Sequence, residues 1–180
     1  MIGAITAGLF STGVAASTTS YESIATVNVA SGGASSITFS SIPSTYKHLQ
    51  IRALHVTAAA GSSATLRFNG DTTTSNYRQH TLYGTGAAAG VNTIANQLYS
   101  PYDSGGAATT SPGAMVLDIL DYADTNKYKT ARYLSGYDAN GSGIIQFVSG
   151  LWTSTSAISS ITFTLSFNQY SSFALYGIKG

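Results

Sequence analysis

Asp118, Asp121 and Asp124 crowd one short stretch of the chain, and carboxylates gathered this way can serve as general acid and base or collect calcium. Their spacing argues against a shared site. On an extended strand, residues three apart point to opposite faces, so Asp118 and Asp121 diverge. Ion pairing with Lys127, Lys129 or Arg132 across a hairpin is the simpler expectation. The stretch Asp138-Ala139-Asn140-Gly141 echoes the start of a calcium loop but has no acidic residue at the closing position, and Asp and Asn are ordinary turn residues.

Histidine offers no better nucleus. His48, His55 and His80 form no HxH, HExxH or paired spacing from which a transition-metal site could grow. His55 falls within a predicted strand, where a half-buried or interfacial imidazole satisfied by a neighbour is the expected state. The chain has no cysteine, which removes disulfides, thiolate zinc sites and cysteine nucleophiles together. There is no GxSxG elbow, P-loop or GxGxxG after a strand. Asn140-Gly141-Ser142 matches a glycosylation acceptor, yet reads more simply as a hairpin turn. The residues therefore point to no catalytic group, no metal and no cofactor, and the protein is expected not to be an enzyme.

Tyrosine is the remaining functional candidate, with 12 copies in 180 residues. It offers a large amphipathic face and a hydroxyl at low rotamer cost, which suits recognition surfaces, sugar-binding ones included. The plainer expectation is that Tyr122, Tyr128, Tyr133 and Tyr137 make cross-strand pairs and that Trp152 fills a sheet face. Tyr99 and Tyr102, beside a proline and a Gly-rich stretch, are the better candidates for surface recognition.

Charge narrows the partners. Eight Lys/Arg against seven Asp/Glu leave a formal net charge of +1, and only 8% of residues are charged. That cannot neutralise many phosphates, so nucleic acid is not an expected partner. A near-zero charge also removes the repulsion that keeps monomers apart, which suits life in an assembly.

The elements that would position these residues are strands. Short runs of β-branched and aromatic residues recur between Gly, Ser, Asn and Asp clusters. Strands are predicted near Tyr21–Ala30, Ser36–Ile42, Lys47–Thr57, Ala64–Asn69, Tyr77–Tyr83, Thr93–Tyr99, Ala114–Tyr122, Lys129–Tyr137, Ile144–Trp152, Ser160–Phe167 and Ser172–Ile178. Alternation is clear in several: Ile161, Phe163 and Leu165 against Thr162, Thr164 and Ser166, for example. Asn69-Gly70 and Asn140-Gly141 are predicted to supply the positive φ angles of tight hairpins, and the Gly-Ala stretches at Ala58–Ser63 and Gly84–Gly90 read as loops. So many strands cannot form one open sheet without curling. The expected fold is all-β, a jelly-roll-like antiparallel β-sandwich over residues 21–180.

Residues 1–20 stand apart as an extended N-terminal arm. Ile2, Ile5, Leu9 and Phe10 are apolar and separated by Gly and Ala. A secretory leader is tempting here, but no Lys or Arg precedes Lys47, so its positive n-region is missing. The apolar run is far short of the roughly 20 residues of a membrane span. An anchor is the better expectation, docked on its own sandwich, on sister subunits or on a partner. Burying the four side chains could contribute roughly 6–12 kcal/mol before ordering entropy is subtracted.

Five strings, SYESIATVNV at 20–29, ITFSSIPSTYKHLQIR at 37–52, LRFNGDTTTSNY at 66–77, LDILDYADTNKYKTARYLSGYDANGSG at 117–143 and YSSFALYGIKG at 170–180, carry a resemblance. Together they resemble a family of small virion structural proteins of tailed bacteriophages, especially those of cyanobacteria and marine bacteria. The resemblance spans nearly the whole chain after the arm. It implies a virion component and no enzymatic activity. Among virion roles, a short neutral β-domain with an apolar arm and no heptads suits a capsid decoration, or cement, protein. Its expected partners are the major capsid protein and sister copies in a trimer, at the outer capsid surface and not at a membrane. The alternative is a host-recognition adhesin, at a tail tip or head fibre, binding surface glycans through Tyr-rich loops.

Overall fold

Side chains that alternate between apolar and hydroxylated cannot bury one face until a second layer covers it, and this chain solves the problem by crossing repeatedly between two sheets. The computed structural model describes residues 20–58, 62–100, 111–138 and 140–180. The strands are β1 (Tyr21–Asn28), β2 (Ala34–Phe39), β3 (His48–His55), β4 (Thr65–Phe68), β5 (Tyr77–Gly84), β6 (Ala89–Ala95), β7 (Gly113–Leu120), β8 (Lys129–Asp138), β9 (Gly143–Trp152), β10 (Ile161–Phe167) and β11 (Ser172–Ile178). Eight form a sheet in the order β1-β11-β3-β7-β8-β9-β5-β6, and three form a second in the order β2-β10-β4. Every ladder is antiparallel. The fold is thus all-β, with two antiparallel sheets consistent with a β-sandwich.

The core lies between the sheets. Leu49, Ile51, Leu117, Ile119, Val148 and Leu175 come from the large sheet, and Ile37, Leu66, Phe68, Ile161 and Phe163 from the small one; all are buried. Phe173 packs against Phe163 and Phe167 at ring-centroid distances of 5.4 and 5.0 Å. Trp152 does fill the inner face, packed 5.6 Å from Phe68 and 6.5 Å from Tyr77. Its Nε1 donates to Asp71 Oδ2 at 2.7 Å. Asp71 also accepts from Asn76 Nδ2 and from the Thr73 N–H, both at 2.8 Å. Although burial pushes its pKa upward, these three donors prevail and hold the carboxyl down at about 2.

Gly177 shows why one inward position must be glycine. A Cβ there would run into the Tyr46 ring, whose hydroxyl donates to Glu22 Oε2 at 3.0 Å. Gly177→Ala is therefore expected to cost about 1–3 kcal/mol by overpacking. Urea denaturation would show this as a lower midpoint at unchanged slope.

Several expectations need correction. The sixth strand is Ala89–Ala95, not Thr93–Tyr99. Asn96 takes a positive φ of 76° and ends it, while 98–100 run alongside β4 through Leu66 N–H to Leu98 O and Ser100 N–H to Ala64 O, both 2.8 Å. Consequently β5 extends to Gly84, and β6 occupies part of the stretch read as a loop at Gly84–Gly90. Asn69 and Gly70 have the positive φ angles foreseen, 53° and 67°. They do not close a hairpin, however, because β4 pairs with β10 and β5 with β9 and β6. The turn carries the chain from one sheet to the other. Asn69 also ties down the segment before β10, its Oδ1 accepting from Ser159 and Ser160 N–H at 2.8 and 3.1 Å. Asn140-Gly141 behaves as foreseen, in the turn between paired β8 and β9.

Candidate interaction surface

The aspartates predicted to diverge do so. Asp118, on the outer face of β7, accepts from Gln50 Nε2 at 2.8 Å. Asp121 sits in the turn after β7 with φ of 47°. It pairs with Lys127 at 2.6 Å and Lys47 at 2.8 Å, and these two lysines hold its carboxyl at about 2. Lys127 reaches Asp124 as well, at 3.4 Å. Its pairing was foreseen; the expectation for Lys129 fails. The Lys129 side chain is buried, and its Nζ donates to the backbone carbonyls of Asp124, Lys127 and Thr155 at 2.5, 2.8 and 3.1 Å. Desolvation lowers its pKa.

The histidines scatter. His48 Nδ1 accepts from the Asp121 N–H at 3.0 Å, and His80 faces Thr93 Oγ1 at 3.4 Å in the open. His55 is fully buried against Phe173, and neither ring nitrogen has a hydrogen-bond partner among the described residues, contrary to the expected satisfied imidazole. Burial alone takes its pKa from 6.5 down to about 4. Among the described residues no three His, Asp or Glu side chains gather closely enough to hold a metal ion.

Of the tyrosines, Tyr122 and Tyr133 are buried hydrogen-bonding pins, their hydroxyls donating to the carbonyls of Pro43 and Tyr99, while Tyr128 is exposed. Tyr99 is half-buried, and its N–H donates to Gln79 Oε1 at 2.8 Å. Tyr102 lies outside the described residues, as do the arm residues Ile2, Ile5, Leu9 and Phe10.

What sequence reasoning missed is the outer face of the large sheet. Register places Val116, Leu134, Phe147, Leu82 and Val91 directly across from one another on β7, β8, β9, β5 and β6. They form one apolar row, with exposures between 40% and 80%. Beside it, Leu54, Ala114, Gly136 and Ile145 make a second row. The two glycine and alanine positions deepen the surface into a groove of about 1200 Å³, walled by Leu54, Val116, Leu134 and Ile145 and bordered by the turns at 85–87 and 141–143.

On the other side runs a polar row, Gln50, Asp118, Arg132, Ser149, His80 and Thr93. Arg52 closes the apolar row toward β11. Its guanidinium lies 5.7 Å from the Tyr21 ring centroid and 5.6 Å from that of Tyr176, and its Nε donates to Gln50 Oε1 at 2.8 Å. An apolar centre flanked by a fixed polar network is the anatomy of a protein-binding face. The missed signal was the breakdown of alternation, in Met115-Val116-Leu117 and Ile144-Ile145, where apolar residues take both faces of a strand.

No protein-family model matches the chain, and no curated protein matches it. A solved structure, of a protein of unknown function from Shewanella oneidensis MR-1, aligns with 88% of this chain and 75% of its own at 9% identity, with a TM-score of 0.21. A likeness that low carries no argument about fold or function.

Proposed function

We propose that this chain is a non-enzymatic structural protein of a tailed-phage virion, a decoration or cement protein that binds the outer face of the major capsid shell as an oligomer and stabilises it. The observation that carries the reading is the exposed apolar row Val116-Leu134-Phe147-Leu82-Val91 with its polar flank. Covering five half-exposed side chains of this kind would contribute on the order of 5 kcal/mol, enough to hold a copy on a lattice when repeated or combined with an anchor. Near-neutral charge and the resemblance of the sequence to small phage virion proteins support the same reading. The arm of residues 1–20 is its second attachment, through Ile2, Ile5, Leu9 and Phe10.

The wrap of the chain supports a jelly-roll-like sandwich as the scaffold. Among the described strands, β1 pairs with β11 and β2 with β10, nested ends to ends. The chain changes sheet at each connection from β1 to β5. Such a roll places a broad sheet face outward without exposing a core.

Two variants test the proposal with capsid shells stripped of this protein. Phe147→Glu is expected to leave the melting temperature nearly unchanged, because the side chain is exposed, and to abolish co-sedimentation with shells. Deleting residues 1–16 is expected to do the same while residues 21–180 stay folded. Failure of the unaltered chain to bind shells, or its location at the tail of imaged particles, would rule the proposal out.

A further inference from the structure

An edge strand offers a row of unpaired backbone donors and acceptors, and natural sheets blunt such edges with charge, proline, bulges or a covering segment. Among the described residues, three of the four sheet edges are blunted. In β1, a bulge between Ser23 and Ala25 breaks the register, and Glu22 is paired with Lys179. The ladder from β2 to β10 is interrupted between Thr164 and Phe167. Residues 98–100 cover β4.

The fourth edge, β6, has none of these devices among the described residues. Its sequence, AGVNTIA, holds no charge and no proline. Its register against β5 is unbroken over all seven residues. No residue of it is buried, and Val91 is 80% exposed.

The outward-facing groups can be assigned. The Asn96 N–H donates to Tyr77 O at 2.9 Å, so by alternation Gly90, Asn92 and Ile94 bond to β5 while Ala89, Val91, Thr93 and Ala95 direct their N–H and C=O groups to the free edge.

We infer that β6 is a dimerisation edge: two copies of this chain pair antiparallel through β6 about a two-fold axis at Asn92, joining their large sheets into one. In this register Val91 faces the partner copy's Thr93, and Ala89 faces its Ala95. All four outward-facing residues of each strand are then used. The two Asn92 residues meet at the axis as a close non-hydrogen-bonded pair, where each carboxamide can both donate and accept. A two-fold axis sets like against like, which a charged strand would resist; this strand has no charge to repel. Arg78, across from Ala95 on β5, is folded back onto Ser75 O and Tyr77 O at 2.8 Å and leaves the axis clear. The inference does not depend on the virion reading. A trimer, by contrast, would have to assemble through another surface.

Sedimentation equilibrium of the full chain from low to high micromolar concentration tests it. The unaltered chain is expected to reach twice its 18.6 kDa mass. Val91→Pro removes an outward N–H and no bond to β5, and is expected to sediment as a monomer with the fold intact. Leu134→Glu, in the apolar row but away from the edge, is expected to remain dimeric, which separates edge pairing from face-to-face association. Should Val91→Pro misfold, Asn92→Cys gives an independent answer. The native chain has no cysteine, and mild oxidation is expected to convert this variant to a disulfide dimer. A monomeric unaltered chain at every concentration, a dimer or trimer that survives Val91→Pro, or an Asn92→Cys chain that stays uncrosslinked would overturn the inference.

Discussion

Lys129→Ala is expected to lower the free energy of unfolding by about 2–4 kcal/mol, far more than a lysine on this sparsely charged surface would suggest. The ammonium is the shared donor for three backbone carbonyls, Asp124 O and Lys127 O in the β7–β8 connection and Thr155 O after β9. Removing it leaves three acceptors without their donor and lets two turns separate. Against this stands the relief of no longer burying a charge, which is why the loss should fall below the sum of three charge-assisted bonds. Lys129→Met separates the two contributions, since it keeps a buried apolar stem at the position paired with Trp152 on β9. If the carbonyls dominate, Met will recover less than half of the loss. Urea midpoints for the two variants, compared at equal slope, decide it. An Ala variant within about 0.5 kcal/mol of the unaltered chain, the usual size of a surface effect, would show that water replaces the ammonium freely.

The second large effect is acid destabilisation through His55. Its ring is buried beside Phe173, with its pKa depressed from 6.5 to about 4 by loss of solvent. Between those values the unfolded chain takes up a proton that the native chain refuses. Stability from this group is therefore complete above pH 6.5 and falls as the pH drops toward 4, by on the order of 3 kcal/mol. Asp71 and Asp121, held at about 2 against an ordinary 3.8, lose their contributions only at lower pH. The two windows are thus separable. His55→Leu should flatten the stability profile between pH 6.5 and 4 while leaving the steeper acid limb in place. A profile in that window that is the same with and without the imidazole would refute the assignment.

Strand periodicity marks ten of the eleven described strands, because a period of two is enforced by the covered inner face and is visible wherever the other face carries Thr or Ser. It misplaced β6, where the strand overhangs the core and no burial disciplines the pattern; Leu98 and Tyr99 mimicked a strand that ends at Ala95. Which strand joins which sheet was not readable locally. Asn69-Gly70 has the chemistry of a hairpin, yet the partner of β4 is β10, brought in from far along the chain. The candidate surface escaped for a related reason. Val116, Leu134 and Phe147 lie on different strands and become one row only after register is set. From the sequence Lys129 is an ion-pair candidate across the hairpin, because nothing in its neighbours reveals that three carbonyls converge on it.

The pairing of β1 with β11 has a kinetic corollary. Tyr21 sits opposite Ile178, and the Lys179 N–H donates to Ser20 O at 3.1 Å. A ribosome must therefore deliver β11, far along the chain, before β1 finds its place in the sheet, and until then β1 waits as an unprotected ribbon. Topologies dominated by such distant closures fold slowly and are exposed to aggregation meanwhile. Refolding of this chain should accordingly be slow, and yield should fall as protein concentration rises.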